Sequence, residues 1–168
     1  KLRKHIRCLY AHGGIYLVRN SNLLFHASIP LNADGTFKEV EIRGKKYKGK
    51  SLLDKVDQLI RTAYFDDEDS IDRNYALDYT WYLWCGEDSP SFDKDKMTTF
   101  ERYFIEDKSL SKEKKGYYYE LRNEESVCDM ILNEFGINDK HSHIINGHIP
   151  VKTIKGEKPV KAGGKLLV

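Results

Sequence analysis

The chain is poor in cysteine: among 168 residues there are only Cys8, Cys85 and Cys128, widely spaced and with no C-x-x-C pair. That pattern excludes a zinc cluster or a disulfide framework and fits a reduced, cytoplasmic compartment. Long apolar runs are missing too. None approaches the ~20 residues a membrane span needs, and no signal-peptide pattern opens the chain. An excess of one charge is also lacking. The formal net charge of +2 argues against a dedicated nucleic-acid binder, whose basic patch is more pronounced. There is no initiating Met. "KLRKHIRCLY" reads like the second half of a helix and "GGKLLV" like a strand just begun, so the expectation is a piece of a longer protein carrying part of a site. What is present, 40% hydrophobic residues, suffices for one globular core.

Periodicity orders that core. Leu2, Ile6, Leu9 and Tyr10 have helical spacing within residues 1–12, and the glycines of "HGG" are expected to end that helix through left-handed geometry. "IYLVRN" and "LLFHAS" read as a hairpin around "SN". A turn is centred on Asp34-Gly35, and "KEVEIRGKKYKGK" alternates like an exposed hairpin with Gly44 at its tip. Ser51 is the expected N-cap of a helix that buries Leu52, Val56, Leu59, Ile60 and Ala63. "DDEDS" at 66–70 is a charged loop, Asp72 to Leu83 is helical, and "CGEDSPSFDKDK" is a loop. "MTTFERYFIED" is amphipathic and suits helix or strand. "KSLSKEKKG" is a polar linker, and Tyr117, Tyr118 and Tyr119 read as strand packing. A helix from about Asn123 to Phe135 stops at Gly136 and leads to the strand "HSHIING" and a last hairpin. The predicted class is α/β, helices packed on a sheet.

One feature occurs twice. "NLLFHASIPLN" places His26 just after an apolar strand, and "HIINGHIPVK" does the same with His148; in both, small residues flank the histidine and Ile-Pro follows. Ligands of α/β sheets bind at the carboxyl ends of strands, and neutral imidazole is a common metal ligand. Two such strands side by side would aim two imidazoles at one point. A lone histidine at a strand end, however, is usually just hydrogen-bonded or exposed. Two are also fewer than the three or more ligands of a catalytic metal site, and "DDED" reads as a solvated loop rather than as the missing set.

"LLFHASIPLN" resembles the fourth motif of the calcineurin-like metallophosphoesterases, and "INGHIP" resembles their last, a strand ending in Gly-His. With "WYLWCGEDSPSFDKDKMTTFERYFI" and "HSHIINGHIPVKTIKGEKPVKAGGKLLV" added, the chain more specifically resembles class III fructose-1,6-bisphosphatase along nearly its whole length. The resemblance implies that residues 1–168 are the C-terminal part of a calcineurin-like β-sandwich flanked by helices. It implies a two-metal site, Mn favoured by the imidazoles and Mg as the other option, with His26 and His148 on one metal. Where many relatives continue Gly-His-x-His, this chain has Pro150. The family's Asp-x-His strand end, Gly-Asp and Gly-Asn-His motifs are expected upstream of Lys1, so catalytic groups are expected there and the chain alone is expected to be inactive.

A bisphosphate needs cations for its second phosphate. Lys94, Lys96 and Arg102 are candidates, against the alternative of ordinary surface charge. Of Lys152, Lys155, Lys158, Lys161 and Lys165, most suit a solvated hairpin, and Lys152 is the one nearest the proposed metal. "LWCGEDSP" resembles the Leu-Trp-Ser-Asp-Pro segment of phosphoprotein phosphatases, so Trp84 and Cys85 are expected to line the cleft and Trp81 to pack in the core. His143 is expected to be structural. The implied partners are a sugar bisphosphate and the rest of the same protein, with homo-oligomerisation left open and with neither nucleic acid nor membrane. Two competing readings are a phosphoprotein phosphatase of the same superfamily and a non-catalytic binding or scaffold domain with structural histidines.

Overall fold

In chain order, the computed structural model, which describes residues 1–66 and 69–168, contains α1 (Leu2–His12), β1 (Tyr16–Arg19), β2 (Asn22–Phe25), β3 (Val40–Ile42), β4 (Lys45–Tyr47), α2 (Gly49–Phe65), α3 (Ile71–Cys85), α4 (Thr99–Phe104), α5 (Tyr118–Leu121), α6 (Glu125–Glu134), β5 (Ile144–Asn146), β6 (Val160–Lys161) and β7 (Leu166–Leu167). The class is mixed α/β. The loop expected at 66–70 falls partly on residues 67 and 68, which lie outside the described residues. Among the described residues no helix is long and apolar enough to cross a membrane.

The main sheet has five strands in the order β1-β2-β5-β7-β6. Its first pair is antiparallel, β2 and β5 are parallel, β5 and β7 are parallel, and β6 returns antiparallel to β7. The β1–β2 turn is Asn20-Ser21, both at positive φ, one residue earlier than "SN" suggested. Paired left-handed residues give the tight two-residue turn whose twist matches a hairpin. β3 and β4 form a separate two-stranded hairpin, with Gly44 at φ +74 in its turn.

Because side chains alternate across a strand, the two faces of the main sheet differ in composition. Leu23, Phe25, Ile144 and Leu166 point to one face and are buried against Val127, Cys128, Ile131 and Leu132 of α6. Leu17, Leu24, Ile145 and Leu167 are in register across four strands on the other face. Leu17 is 42% exposed and Ile145 38%, with Leu24 and Leu167 of intermediate burial, so the described residues cover this apolar row only in part. A second core joins α2 and α3 through Leu52, Val56, Leu59, Ala63, Ala76, Tyr79 and Leu83, while Leu53 on the same helix reaches the sheet core.

Several local expectations change. Ser51 is not the N-cap. α2 starts at Gly49, capped by Lys48, and Ser51 sits three residues in, where its hydroxyl accepts the Lys48 N–H at 3.1 Å and donates to the Lys48 carbonyl at 2.7 Å. Gly13 is extended rather than left-handed. The glycine pair is explained by close approach instead, since a Cβ on Gly14 would lie 2.8 Å from an Asp57 carboxylate oxygen. That carboxylate accepts the Ile15 N–H at 3.1 Å, tying the start of β1 to α2. Tyr118 and Tyr119 are buried in the short helix α5, not in a strand. "MTTFERYFIED" resolves as the helix α4. Trp81 is 66% exposed, so it is not core packing; it lies edge-on to Trp84 on the outer side of α3.

Candidate functional site

β2 and β5 run parallel, with Phe25 opposite Asn146, so their next residues leave the sheet at the same edge. The Gly147 N–H donates to the His26 carbonyl at 2.9 Å, extending the ladder by one bond. The chain then bends sharply. His148 sits at φ +61, a left-handed conformation that costs a non-glycine residue roughly 1–3 kcal/mol. The bend carries its ring back over the sheet edge: His26 Nε2 and His148 Nδ1 stand 3.0 Å apart, with ring centroids 5.0 Å apart. The two imidazoles therefore converge. Gly147 is not required by crowding from His26, because a Cβ there would meet the His26 carbonyl only at an ordinary 3.6 Å.

The donor set can be tested against a divalent cation. Two nitrogens each about 2.1 Å from one tetrahedrally coordinated ion would stand about 3.4 Å apart; here the rings are in hydrogen-bond contact at 3.0 Å, so a small separation of the rings would admit an ion. Burial first, then the neighbouring His26 and Lys94, lower the His148 pKa from its usual value. The neutral ring, with a free electron pair, is thus favoured. The set nevertheless stops at two: among the described residues no group of three or more His, Cys, Asp or Glu side chains could hold a metal. An Asp-x-His triplet does occur, at Asp139–His141, but it sits in the turn before β5, at the opposite end of that strand from His148. There Asp139 accepts the His141 backbone N–H at 2.9 Å. His143 is structural, its ring 2.9 Å from the Gly164 carbonyl.

Around the pair the loop "SFDKDK" folds inward. Phe92 is buried, with its ring 6.2 Å from that of His148, and Lys94 Nζ lies 5.0 Å from the Phe92 ring. Lys94 is therefore near the histidines, although Glu113 neutralises it at 3.1 Å. The same Glu113 takes Arg102 at 3.2 Å and the Thr98 hydroxyl at 2.8 Å. Against the desolvation that raises it, the Thr98 hydroxyl and backbone N–H and the Lys94 ammonium hold its carboxyl down at about 2. Arg102 is thus held by Glu113 and the Thr98 hydroxyl, and Lys96 is turned to the Leu110 carbonyl at 3.1 Å; neither contacts the pair. Trp84 is 57% exposed against Trp81, and Cys85 Sγ lies 3.7 Å from the Trp81 carbonyl, so both belong to the outer end of α3 in this chain. Lys152 is exposed four residues beyond His148.

Pattern reading missed Asp93. It is 2% exposed, has φ +51 and accepts the Ser28 hydroxyl, two residues after His26. Desolvation raises its pKa to about 6, the Ser28 hydrogen bond opposing. Gly116 is glycine for this carboxylate, since a Cβ there would fall 2.1 Å from Asp93 Oδ1. Sequence offered no signal for it because both partners are distant in the chain. A shallow cleft of about 530 Å³ runs from the apolar sheet row to His26 and Gly147.

The structure thus sets paired imidazoles at the carboxyl edge of a mixed sheet, with Lys94 near by. Comparison with known proteins gives the family: the sequence model of the firmicute fructose-1,6-bisphosphatases matches residues 1–168, and the chain belongs to that family. It is 71% identical over 168 residues to the class 3 fructose-1,6-bisphosphatase of Bacteroides fragilis. The corresponding enzymes of Bacteroides thetaiotaomicron and Clostridium botulinum are 68% and 58% identical over the same span. In each case all of this chain aligns with 25% of the relative, so it spans about a quarter of the length of these curated relatives. No solved structure matches it.

Proposed function

We propose that this chain supplies the two-histidine part of a metal-dependent phosphatase that removes the C1 phosphate of fructose 1,6-bisphosphate, in the cytoplasm and in the service of gluconeogenesis. The observation that carries the reading is the 3.0 Å approach of His26 and His148 at the ends of two parallel strands. Family membership supplies the substrate. His26 and His148 would hold one divalent cation, Mn by preference, and Mg is the other choice. A bound metal pair supplies charge neutralisation on the phosphoryl oxygens and acidifies water. The chain's own part is positioning: the β2–β5 ladder sets one imidazole and the left-handed bend at residue 148 sets the other. Phe92 lies against one side of the pair, and burial lowers the His148 pKa.

The partly covered row Leu17-Leu24-Ile145-Leu167 supports a second sheet packing on that face, as a calcineurin-like β-sandwich requires. The remaining ligands and the acid would come from the same protein beyond this chain. His148→Ala in the full-length protein is the test. Turnover of fructose 1,6-bisphosphate should fall by about three orders of magnitude, with loss of bound metal. Near-normal turnover would sink the assignment. The isolated chain should show no turnover.

A further inference from the structure

Glu113 neutralises Lys94 and Arg102, but a second group of cations has no such partner. An antiparallel bridge sets Lys94 opposite Lys115. Lys115 Nζ and the Arg122 guanidinium both approach the Tyr119 ring, at 5.8 and 5.4 Å from its centroid. Lys152, Arg122 and Lys94 all lie close enough to act on Lys115, whose pKa is lowered by desolvation and then by these three charges, with the Glu157 carboxylate opposing them. Among the described residues no carboxylate pairs with the Lys115 or Lys152 ammonium. Glu157 is within reach of Arg122, yet its oxygens are taken by the Lys161 ammonium and the Lys152 backbone N–H.

Arg122 is the deepest member, 4% exposed. Its Nη1 donates to Asn146 Oδ1 at 2.8 Å, and its buried Nε has no partner. Asn146 in turn donates to the Ala27 carbonyl at 2.7 Å, so the cluster is braced against the two strands that present His26 and His148. A buried guanidinium with an unsatisfied donor, beside two ammonium groups that no carboxylate meets at ion-pair distance among the described residues, is stabilised by a further anion. Guanidinium and ammonium together are the usual means of holding a phosphate.

Building on the phosphatase reading above, we propose that Lys115, Lys152 and Arg122 form a subsite for the phosphate of the bisphosphate that is not cleaved. Neither Lys115 nor Arg122 was legible as a candidate. The first lies in a stretch that reads as a polar linker, and the second in a run dominated by aromatics.

The test uses the full-length enzyme with two substrates, fructose 1,6-bisphosphate and p-nitrophenyl phosphate, which has no second phosphate. Lys115→Gln is the variant; the position is exposed, so the fold is expected to survive. KM for the bisphosphate should rise about tenfold or more, p-nitrophenyl phosphate turnover should stay within twofold, and Lys115→Arg should rescue. Equal losses on both substrates, or no change on either, would overturn the subsite. A failed phosphatase reading shows differently, as a wild-type protein that does not hydrolyse the bisphosphate. In that case inorganic phosphate should still protect Lys115, and not Lys96, from acylation as mapped by mass spectrometry; equal labelling of Lys115 with and without phosphate would overturn the subsite.

Discussion

The two ends of the parallel strands β2 and β5 contrast sharply. At the leading end, before β5, the polar groups of Asp139, Ser142 and His143 are committed. The His143 ring meets the Gly164 carbonyl at 2.9 Å, its N–H meets Asn22 at 2.9 Å, and Asp139 caps the turn through the His141 N–H. At the trailing end little is settled. His148 is in a left-handed conformation, Asp93 is buried with a raised pKa, and Arg122 leaves a buried donor unpaired. The same short strands thus carry a satisfied end and a strained one. Local rules are broken where a site is to be held, because a native fold tolerates strain and orphaned charge only where surrounding structure over-determines it. The contrast predicts that removing groups at the trailing end improves stability while harming function, and that removing groups at the leading end does the opposite.

The largest stability effect should come from Asp93. Its folded-state pKa is raised from 3.8 to about 6, so the folded chain binds a proton that the unfolded chain has already released. Stability is therefore lost as pH rises through that window, and the penalty is fully present above it. Two units correspond to at most about 3 kcal/mol. Asp93→Asn keeps an oxygen to accept from Ser28 and tolerates positive φ. It should stabilise the full-length protein by up to that amount at pH 7.5, with the gain fading towards pH 4, as read from denaturant midpoints. A gain that does not change with pH would place the effect elsewhere.

A smaller test concerns strain at residue 148. His148→Gly and His148→Ala both delete the imidazole and differ only by a Cβ at φ +61. The glycine variant should be the more stable by about 1 kcal/mol, and both should be equally inactive. Equal stability would mean that the left-handed bend relaxes when the ring is gone, and the strain argument would fall.

How much of this was readable beforehand depended on sequence distance. Leu52, Val56, Leu59 and Ala63 were legible because helical period puts them on one face, and four of the five residues assigned to that face are fully buried, with Ile60 partly so. His26 and His148 were legible because each carries its own strand in front of it. What stayed hidden was non-local. Asp93 acquires its character from Ser28 and Gly116, and Lys115 from Lys94, Arg122 and Lys152. No periodicity encodes a charge's neighbours across tens of residues. The partners of Lys96 and Arg102 were hidden for the same reason: the Leu110 carbonyl and Glu113, which they meet, lie beyond the local pattern. Ser51 was misplaced because its hydroxyl acts from inside the first turn rather than ahead of it.

The sharpest way to break the comparison is also the smallest effect. His143 lies on the same strand approach as His148, five residues earlier, but its ring serves only to hold the Gly164 carbonyl. His143→Ala removes one part-buried hydrogen bond and should cost about 1 kcal/mol of stability, while turnover and metal content of the full-length enzyme stay within twofold. If His143→Ala instead emptied the metal site, the settled leading end would be part of the machinery. Histidines on this sheet could then no longer be sorted by whether their ring nitrogens are already committed to the backbone.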